Sequence, residues 1–339
     1  MNVEKDFSLK KFNTFGIDIK AKQFVAFHTD DELLNFLKSE EVNLEDILII
    51  GGGSNILFTK DFNGTVLKSE IMGINVLERN KENIFLEVGS GVLWDDLVEY
   101  TVNKGYGGIE NLTLIPGTVG AAPIQNIGAY GVEFEEVFEE LEGIDLLNKR
   151  KTIYKKSQCN FGYRDSIFKT ELKNKFVVTK IKIKLKVNPQ LNTSYKAIQD
   201  YIKEKSIENI DIKEISKIVK EIRKSKLPDP NIIGNAGSFF KNPVINKELF
   251  IELKNNYDDL VFYQVENDKY KIPAGWLIEK AGYKGKRFDN VGVHEKQSLV
   301  LVNYGGATGM EIYDLSNKIK SKILEKFNIV LETEVNIVH

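Results

Sequence analysis

The stretch Asp46-Ile-Leu-Ile-Ile50-Gly-Gly-Gly-Ser-Asn55 decides which nucleotide-binding folds this chain can have. Residues 46–50 form a short apolar run, the pattern of a buried strand. The run ends in Gly51, Gly52, Gly53, Ser54 and Asn55, where backbone amides suit a phosphate. A dinucleotide-binding βαβ unit needs G-x-G-x-x-G, and Ile56 stands where the third glycine belongs. Glu70 lies near the distance of a ribose-binding acid, yet Leu57-Phe-Thr-Lys-Asp-Phe-Asn-Gly64 lacks the pattern of the required helix. The Rossmann reading is therefore rejected. A tight turn and an anion site both stay open. Three consecutive glycines cost backbone entropy, which weighs toward the site.

Working outward, Thr29-Asp-Asp-Glu32 is a capping box that predicts a helix carrying Leu33, Leu34, Phe36 and Leu37. Ile84–Val88 reads as a strand, and a turn at Gly89-Ser-Gly91 leads into Leu93, Trp94, Leu97, Val98 and Thr101 at helical spacing. Residues 180–187 alternate lysines with Ile181, Ile183, Leu185 and Val187, which predicts a strand with one buried face. A break follows at 188–195. A helix is predicted over about 211–224, stopped by Leu227-Pro228-Asp229-Pro230. Thr308-Gly-Met-Glu311 starts the last helix, and a final strand is expected from Ile329 to Ile337. Strands and helices mix without regular βαβ alternation, which favours α+β domains.

The segment Ile115-Pro-Gly-Thr-Val-Gly-Ala-Ala-Pro-Ile-Gln-Asn-Ile-Gly-Ala-Tyr-Gly131 is long, uncharged and rich in small residues. It reads as loop and short turns, and a ligand lying directly on backbone is favoured over a purely structural loop. The bulk numbers are ordinary for a soluble globular protein. The chain has 339 residues, suggesting two or three domains, and a net charge of -2, which marks neither a nucleic-acid nor a membrane binder. No apolar run approaches the ~20 residues of a membrane span, and the start lacks a signal core. A cytoplasmic location is expected. With one cysteine, Cys159, and three histidines, no disulfide framework and no His/Cys metal cluster are expected. Hard chemistry then falls to an organic cofactor.

Eight segments, in order, resemble the UDP-N-acetylenolpyruvoylglucosamine reductase family. They are Asn13-Thr-Phe-Gly16, Gly51-Gly-Gly-Ser-Asn55, Ile115-Pro-Gly-Thr-Val-Gly120, Pro123-Ile-Gln-Asn-Ile-Gly-Ala-Tyr-Gly131, Tyr163-Arg-Asp-Ser166, Gly234-Asn-Ala-Gly-Ser-Phe-Phe-Lys-Asn-Pro243, Pro273-Ala-Gly-Trp-Leu-Ile278 and Leu331-Glu-Thr-Glu-Val335. The resemblance implies an α+β architecture with two FAD-binding subdomains of the vanillyl-alcohol oxidase and p-cresol methylhydroxylase type. A C-terminal α+β domain would bind the UDP-sugar. The expected division is 1–66 with 328–339, 67–200, and 210–327. FAD would be non-covalent, since neither glycine stretch holds a His or Cys. It would lie on Gly51, Gly52, Gly53, Ser54, Asn55, Ile115, Gly117, Thr118, Gly120, Ala121, Ala122, Gln125, Asn126, Ile127 and Gly128. NADPH is the implied reductant, the enolpyruvyl ether of a UDP-sugar the implied substrate, and a monomer the expected state.

The resemblance also implies the catalytic set. Arg164 would hold the substrate carboxylate as negative charge develops; from the sequence alone, an ion pair with Asp165 is the competing reading. Ser238 would donate the proton; a turn-capping serine is its bland alternative. Alternation along the last strand puts Glu332 and Glu334 on one face and cannot choose between them. The family pattern, with Thr333 here in place of its proline, points to Glu334. Tyr130, Tyr163, Tyr195, Arg223, Lys226, Asn242 and Gln297 are the implied substrate residues. For Tyr195 the competing reading is an ordinary surface loop, and for Lys226 a solvated charge. His294 is read as a core or rim histidine without a catalytic role. Two other functions compete: an FAD-linked oxidase of the same fold, and a non-catalytic nucleotide-sugar binder.

Overall fold

The computed structural model describes residues 2–39 and 43–339. It forms two compact units: residues 1–7, 21–52 and 63–225, and residues 8–20, 53–62 and 226–339.

The first unit holds two sheets. Strands Val3–Ser8, Lys20–Phe27, Phe62–Ser69 and Ile47–Ile50 form one, the last two pairing in parallel with Ile47 opposite Thr65. The run after Asp46 is thus a strand, while Asp46 itself closes the 3₁₀ turn Leu44–Asp46. The second sheet is antiparallel, in the order Arg150–Lys155, Phe138–Asp145, Phe176–Lys186, Asn83–Gly89 and Ile74–Arg79. Its central strand shows the expected alternation, with Ile181, Ile183 and Leu185 buried. It begins earlier than the alternation does, at Phe176, because Phe176–Thr179 is buried on both faces. Val177 packs with Val25, Phe27 and Leu33, whereas Phe176 and Val178 join Trp94, Phe134 and Phe138. A doubly buried strand carries no period-two signal.

Helix Asp30–Ser39 starts where expected. Thr29 Oγ1 accepts from Glu32 N at 3.1 Å, and the Glu32 carboxylate accepts from His28 N at 2.7 Å. Helix Trp94–Lys104 buries Trp94, Leu97, Val98 and Thr101 and ends on Gly105 at φ 76°. Leu93, expected on its apolar face, is instead the exposed N-cap. Residues 115–134 are loop and single turns, as read, apart from a two-residue hairpin pairing Gly128–Ala129 with Val132–Glu133. Helix Ile212–Lys226 buries Ile215, Ile218, Val219 and Ile222. Before it lies helix Lys196–Lys205, which the sequence reading missed because it buries one residue, Ile198.

In the second unit, strands Gly234–Ser238, Val300–Asn303, Val291–Val293 and Arg287–Phe288 form an antiparallel sheet. A smaller sheet joins Val244–Asn246, Lys269–Lys271 and Tyr263–Glu266. Helix Gly309–Phe327 carries the full capping box, with both Thr308 and Glu311 bonded as expected. Gly309 is required there: a Cβ would lie 1.7 Å from the Phe58 carbonyl oxygen. The final strand is shorter than expected. Only Asn336–Val338 is laddered, in parallel with Ile56–Phe58. Residues 331–335 are joined to 239–241 by the Phe240–Thr333 bridge, its flanking backbone bonds and the Lys241–Glu332 pair rather than by a continuous ladder. Among the described residues, no helix is long and apolar enough to cross a membrane.

Candidate active site

In the first unit the two glycine segments meet backbone to backbone. A Cβ on Gly51 would lie 2.5 Å from Thr118 Oγ1, and one on Gly52 would lie 2.8 Å from Gly117 Cα. A third turn, 89–92, underlies them: Val119 N donates to Val92 O at 2.8 Å, Gly120 N to Ser90 O at 2.9 Å and Trp94 N to Gly117 O at 3.0 Å. Gly120 is needed for this, since its Cβ would sit 2.6 Å from Ser90 Cβ. Ala121 lies against Gly51, and Ala122 is buried beneath. The result is a surface of peptide edges and small groups, with Ile115, Gln125 and Ile127 half-buried around it. It holds no charged side chain among residues 115–131. Such a surface fits FAD, which is flat and joins its halves through a pyrophosphate that binds peptide N–H groups.

Of the expected cofactor residues, Gly53, Ser54 and Asn55 belong to the second unit. Gly53, at φ 64°, would drive a Cβ to 1.9 Å from Phe12 O. Asn55 Nδ2 donates to Glu334 O at 3.3 Å, and Asn336 N donates to Asn55 O at 3.1 Å.

Arg164 occupies a two-residue turn, closed by Gly162 N to Asp165 O and Asp165 N to Gly162 O, each 3.1 Å. Its φ of 55° is a left-handed conformation that non-glycine residues rarely adopt. The guanidinium donates through Nη2 to Gly128 O at 2.5 Å and lies 5.4 Å from the Tyr163 ring centroid. Asp165 caps its own turn, accepting from Ser166 N at 3.0 Å. A Cβ on Gly128 would lie 3.1 Å from Arg164 Nη1 and 2.9 Å from Glu133 Cγ. Glycine at 128 therefore makes room for the arginine.

Three expected substrate residues cluster in the same unit. Tyr130, at φ 52° in the hairpin turn, meets the Tyr195 ring edge-to-face at 5.2 Å. The Arg223 guanidinium lies beside the Tyr130 hydroxyl and near Asp95. Its Nε is buried without a hydrogen-bond partner among the described residues, and burial pushes its pKa down against the opposing pull of Tyr130 and Asp95. The hydroxyl of Tyr130 is pushed up, chiefly by burial. Asn111, which the sequence reading did not single out, holds this loop: its Nδ2 donates to Tyr130 O at 3.0 Å and Asn192 O at 2.9 Å.

In the second unit Ser238 ends its strand opposite Val300, after a bulge with Gly237 at φ 67°. Glu334 N donates to Phe239 O at 2.8 Å, so the two residues belong to adjoining segments. The two glutamates that the sequence left equivalent are not equivalent here. The Glu332 side chain is 72% exposed and pairs with Lys241 at 3.4 Å, whereas Glu334 is half-buried. Asn242 Oδ1 accepts from Ala274 N at 2.9 Å, at the start of helix Ala274–Lys280. Gln297 Oε1 reaches the same turn, 3.4 Å from where a Cβ of Gly275 would be. Lys226 is exposed at the end of its helix. His294 is half-buried, its Nδ1 has no hydrogen-bond partner among the described residues, and burial lowers its pKa.

Two family profiles match the chain: "FAD binding domain" over residues 21–155 and "UDP-N-acetylenolpyruvoylglucosamine reductase, C-terminal domain" over 229–338. The UDP-N-acetylenolpyruvoylglucosamine reductase of Flavobacterium johnsoniae is 44% identical over 339 residues, covering 100% of both chains. That of Amoebophilus asiaticus is 47% identical over 338 residues, again covering 100% of both. The crystal structure of the Thermus caldophilus reductase has the same fold, with a TM-score of 0.71 at 23% identity over 100% of each chain. Full-length identity at this level leaves no segment of the chain outside the match: it belongs to the UDP-N-acetylenolpyruvoylglucosamine reductase family and is an FAD-dependent oxidoreductase.

Proposed function

We propose that the chain reduces the enolpyruvyl ether of UDP-N-acetylglucosamine to UDP-N-acetylmuramate, with NADPH as reductant, in cytoplasmic synthesis of peptidoglycan precursors. The observation that carries this reading is the joining of the Ser238 and Glu334 segments through Glu334 N and Phe239 O, with Glu332 drawn off to Lys241. The hydride chemistry, from NADPH to the methylene carbon of the enolpyruvyl group, would be supplied by FAD held on the glycine segments. Arg164 binds the substrate carboxylate and stabilises the charge that accumulates on it as the double bond is reduced. The Ser238 hydroxyl donates its proton to the carbon bearing the carboxylate, completing addition across the double bond. A serine hydroxyl is a weak acid near neutrality, so Glu334 is assigned to polarising the substrate and assisting protonation.

Gly51, Gly52, Gly53, Ser54 and Asn55 and the 115–128 segment are assigned to the cofactor, held non-covalently. Tyr130, Tyr163, Tyr195 and Arg223 are assigned to the sugar nucleotide, as are Lys226, Asn242 and Gln297. Two cations, Arg223 and Lys226, would oppose the diphosphate. The division into 1–66 with 328–339, 67–200 and 210–327, and a monomeric state, complete the proposal.

An absorption spectrum of the purified protein tests it, followed by anaerobic NADPH and then the enolpyruvyl substrate. The flavin band should bleach with NADPH and return with substrate, and UDP-N-acetylglucosamine itself should not restore it. A protein that binds the UDP-sugar but never consumes NADPH would sink the proposal, as would rapid turnover with oxygen.

A further inference from the structure

We infer that Asn126 is a positioning residue for Arg164, acting through the backbone of the turn that presents the guanidinium. Asn126 is 0% exposed and sits at φ 43°, a left-handed conformation that asparagine tolerates better than most residues. Its side chain faces the protein with both polar atoms in use. Nδ2 donates to Gly162 O at 3.3 Å, to Glu133 Oε2 at 3.0 Å and to Glu135 Oε1 at 3.2 Å, while Oδ1 accepts from Glu135 N at 3.0 Å. Gly162 opens the turn in which Arg164 stands. A second stitch lies on the far side of that turn, where Ser166 Oγ donates to Ile124 O at 2.7 Å. The arginine makes the third, from Nη2 to Gly128 O at 2.5 Å.

Segments 124–128 and 162–166 are thus bound at three points, two of them made by side chains buried in the protein. A residue in a left-handed conformation holds its place only when its surroundings over-determine it. Arg164 has that conformation at 55°, and Asn126 supplies part of the restraint. The amide is also the neutral member between two carboxylates. Only a group with both a donor and an acceptor can meet Gly162 O and the Glu135 amide together.

This inference rests on the reading of Arg164 as the carboxylate-binding group, and its test separates the two. The change is Asn126→Asp, nearly isosteric, which removes the donors while keeping a residue that tolerates positive φ. Hydrogen–deuterium exchange on the holoenzyme should show faster exchange at Gly162 and Asp165, whose mutual bonds close the turn. In half-reactions measured on one sample, reoxidation by the enolpyruvyl substrate should fall about 100-fold more than bleaching by NADPH, the scale expected for a misplacement of about 1 Å. Unchanged exchange at 162–165 would overturn the inference, as would equal losses in the two half-reactions. The triple variant Asn126→Asp with Glu133→Gln and Glu135→Gln removes both carboxylates that face the new charge without restoring the bond to Gly162. Full recovery in that variant would also overturn it, because repulsion alone would then explain the defect. Arg164→Met is the separate control: normal reoxidation there refutes the role of Arg164, whatever the exchange data show.

Discussion

At the scale of single residues, Gly128 shows how a missing side chain places a charged one. The space its Cβ would fill is bounded by Arg164 Nη1 and Glu133 Cγ, and its carbonyl receives the guanidinium. Gly128→Ala should displace Arg164 and lower substrate reoxidation of the flavin about 100-fold; stopped-flow measurement of that step would expose an error if the loss stayed within about threefold. Ser238 makes a sharper test. Ser238→Ala removes the proposed proton donor, so reoxidation should collapse by several orders of magnitude, while NADPH still bleaches the flavin. Normal reoxidation would refute the assignment. The Glu332/Glu334 ambiguity also belongs to this scale. Both lie on one side of an extended segment, and burial together with the partner chosen by Glu332, Lys241, separates them. That partner is 91 residues away in sequence, beyond any local pattern.

At the scale of elements, punctuation was more legible than extent. Both capping boxes mark true helix starts, at Asp30 and Gly309, because a cap is a contact between residues three apart. Thr308→Ala should cost about 1 kcal/mol, a fall in Tm of a few degrees at most, read by thermal unfolding of the holoenzyme. No measurable change would mean that packing around Gly309 fixes the helix start without the cap. Strand ends were harder. Phe176–Thr179 has lost its alternation because two different cores claim its two faces. The closing segment 329–335 has alternation but lacks a continuous neighbour to ladder with, so the pattern there overstated the strand. Helix Lys196–Lys205 hid because a single buried isoleucine makes no stripe.

At the scale of the whole molecule, Cys159 reports on the integrity of the first unit. It is buried, and burial pushes its thiol up to about 12. Since the thiolate is the reactive form, alkylation of the native protein near pH 8 should run about a thousandfold slower than in denaturant. Rapid labelling in native buffer would show that the unit opens readily around it. The α+β character was readable in the sequence, because the absence of a third glycine at Ile56 and of a regular βαβ alternation are local facts. So were the two glycine segments, as candidates for a phosphate-bearing ligand. The sequence by itself therefore determined where the capped and striped helices begin, where the long glycine loop lies and which segments carry the family's ordered motifs, because these depend on neighbours within a few residues. Only the tertiary structure decided that Gly51 and Gly52 press on Thr118 and Gly117, that Asn126 turns inward to brace the turn of Arg164, and that Glu332 is drawn out to Lys241 while Glu334 stays half-buried. Those outcomes depend on backbone approach and on partners remote along the chain, and close packing, not periodicity, selects them.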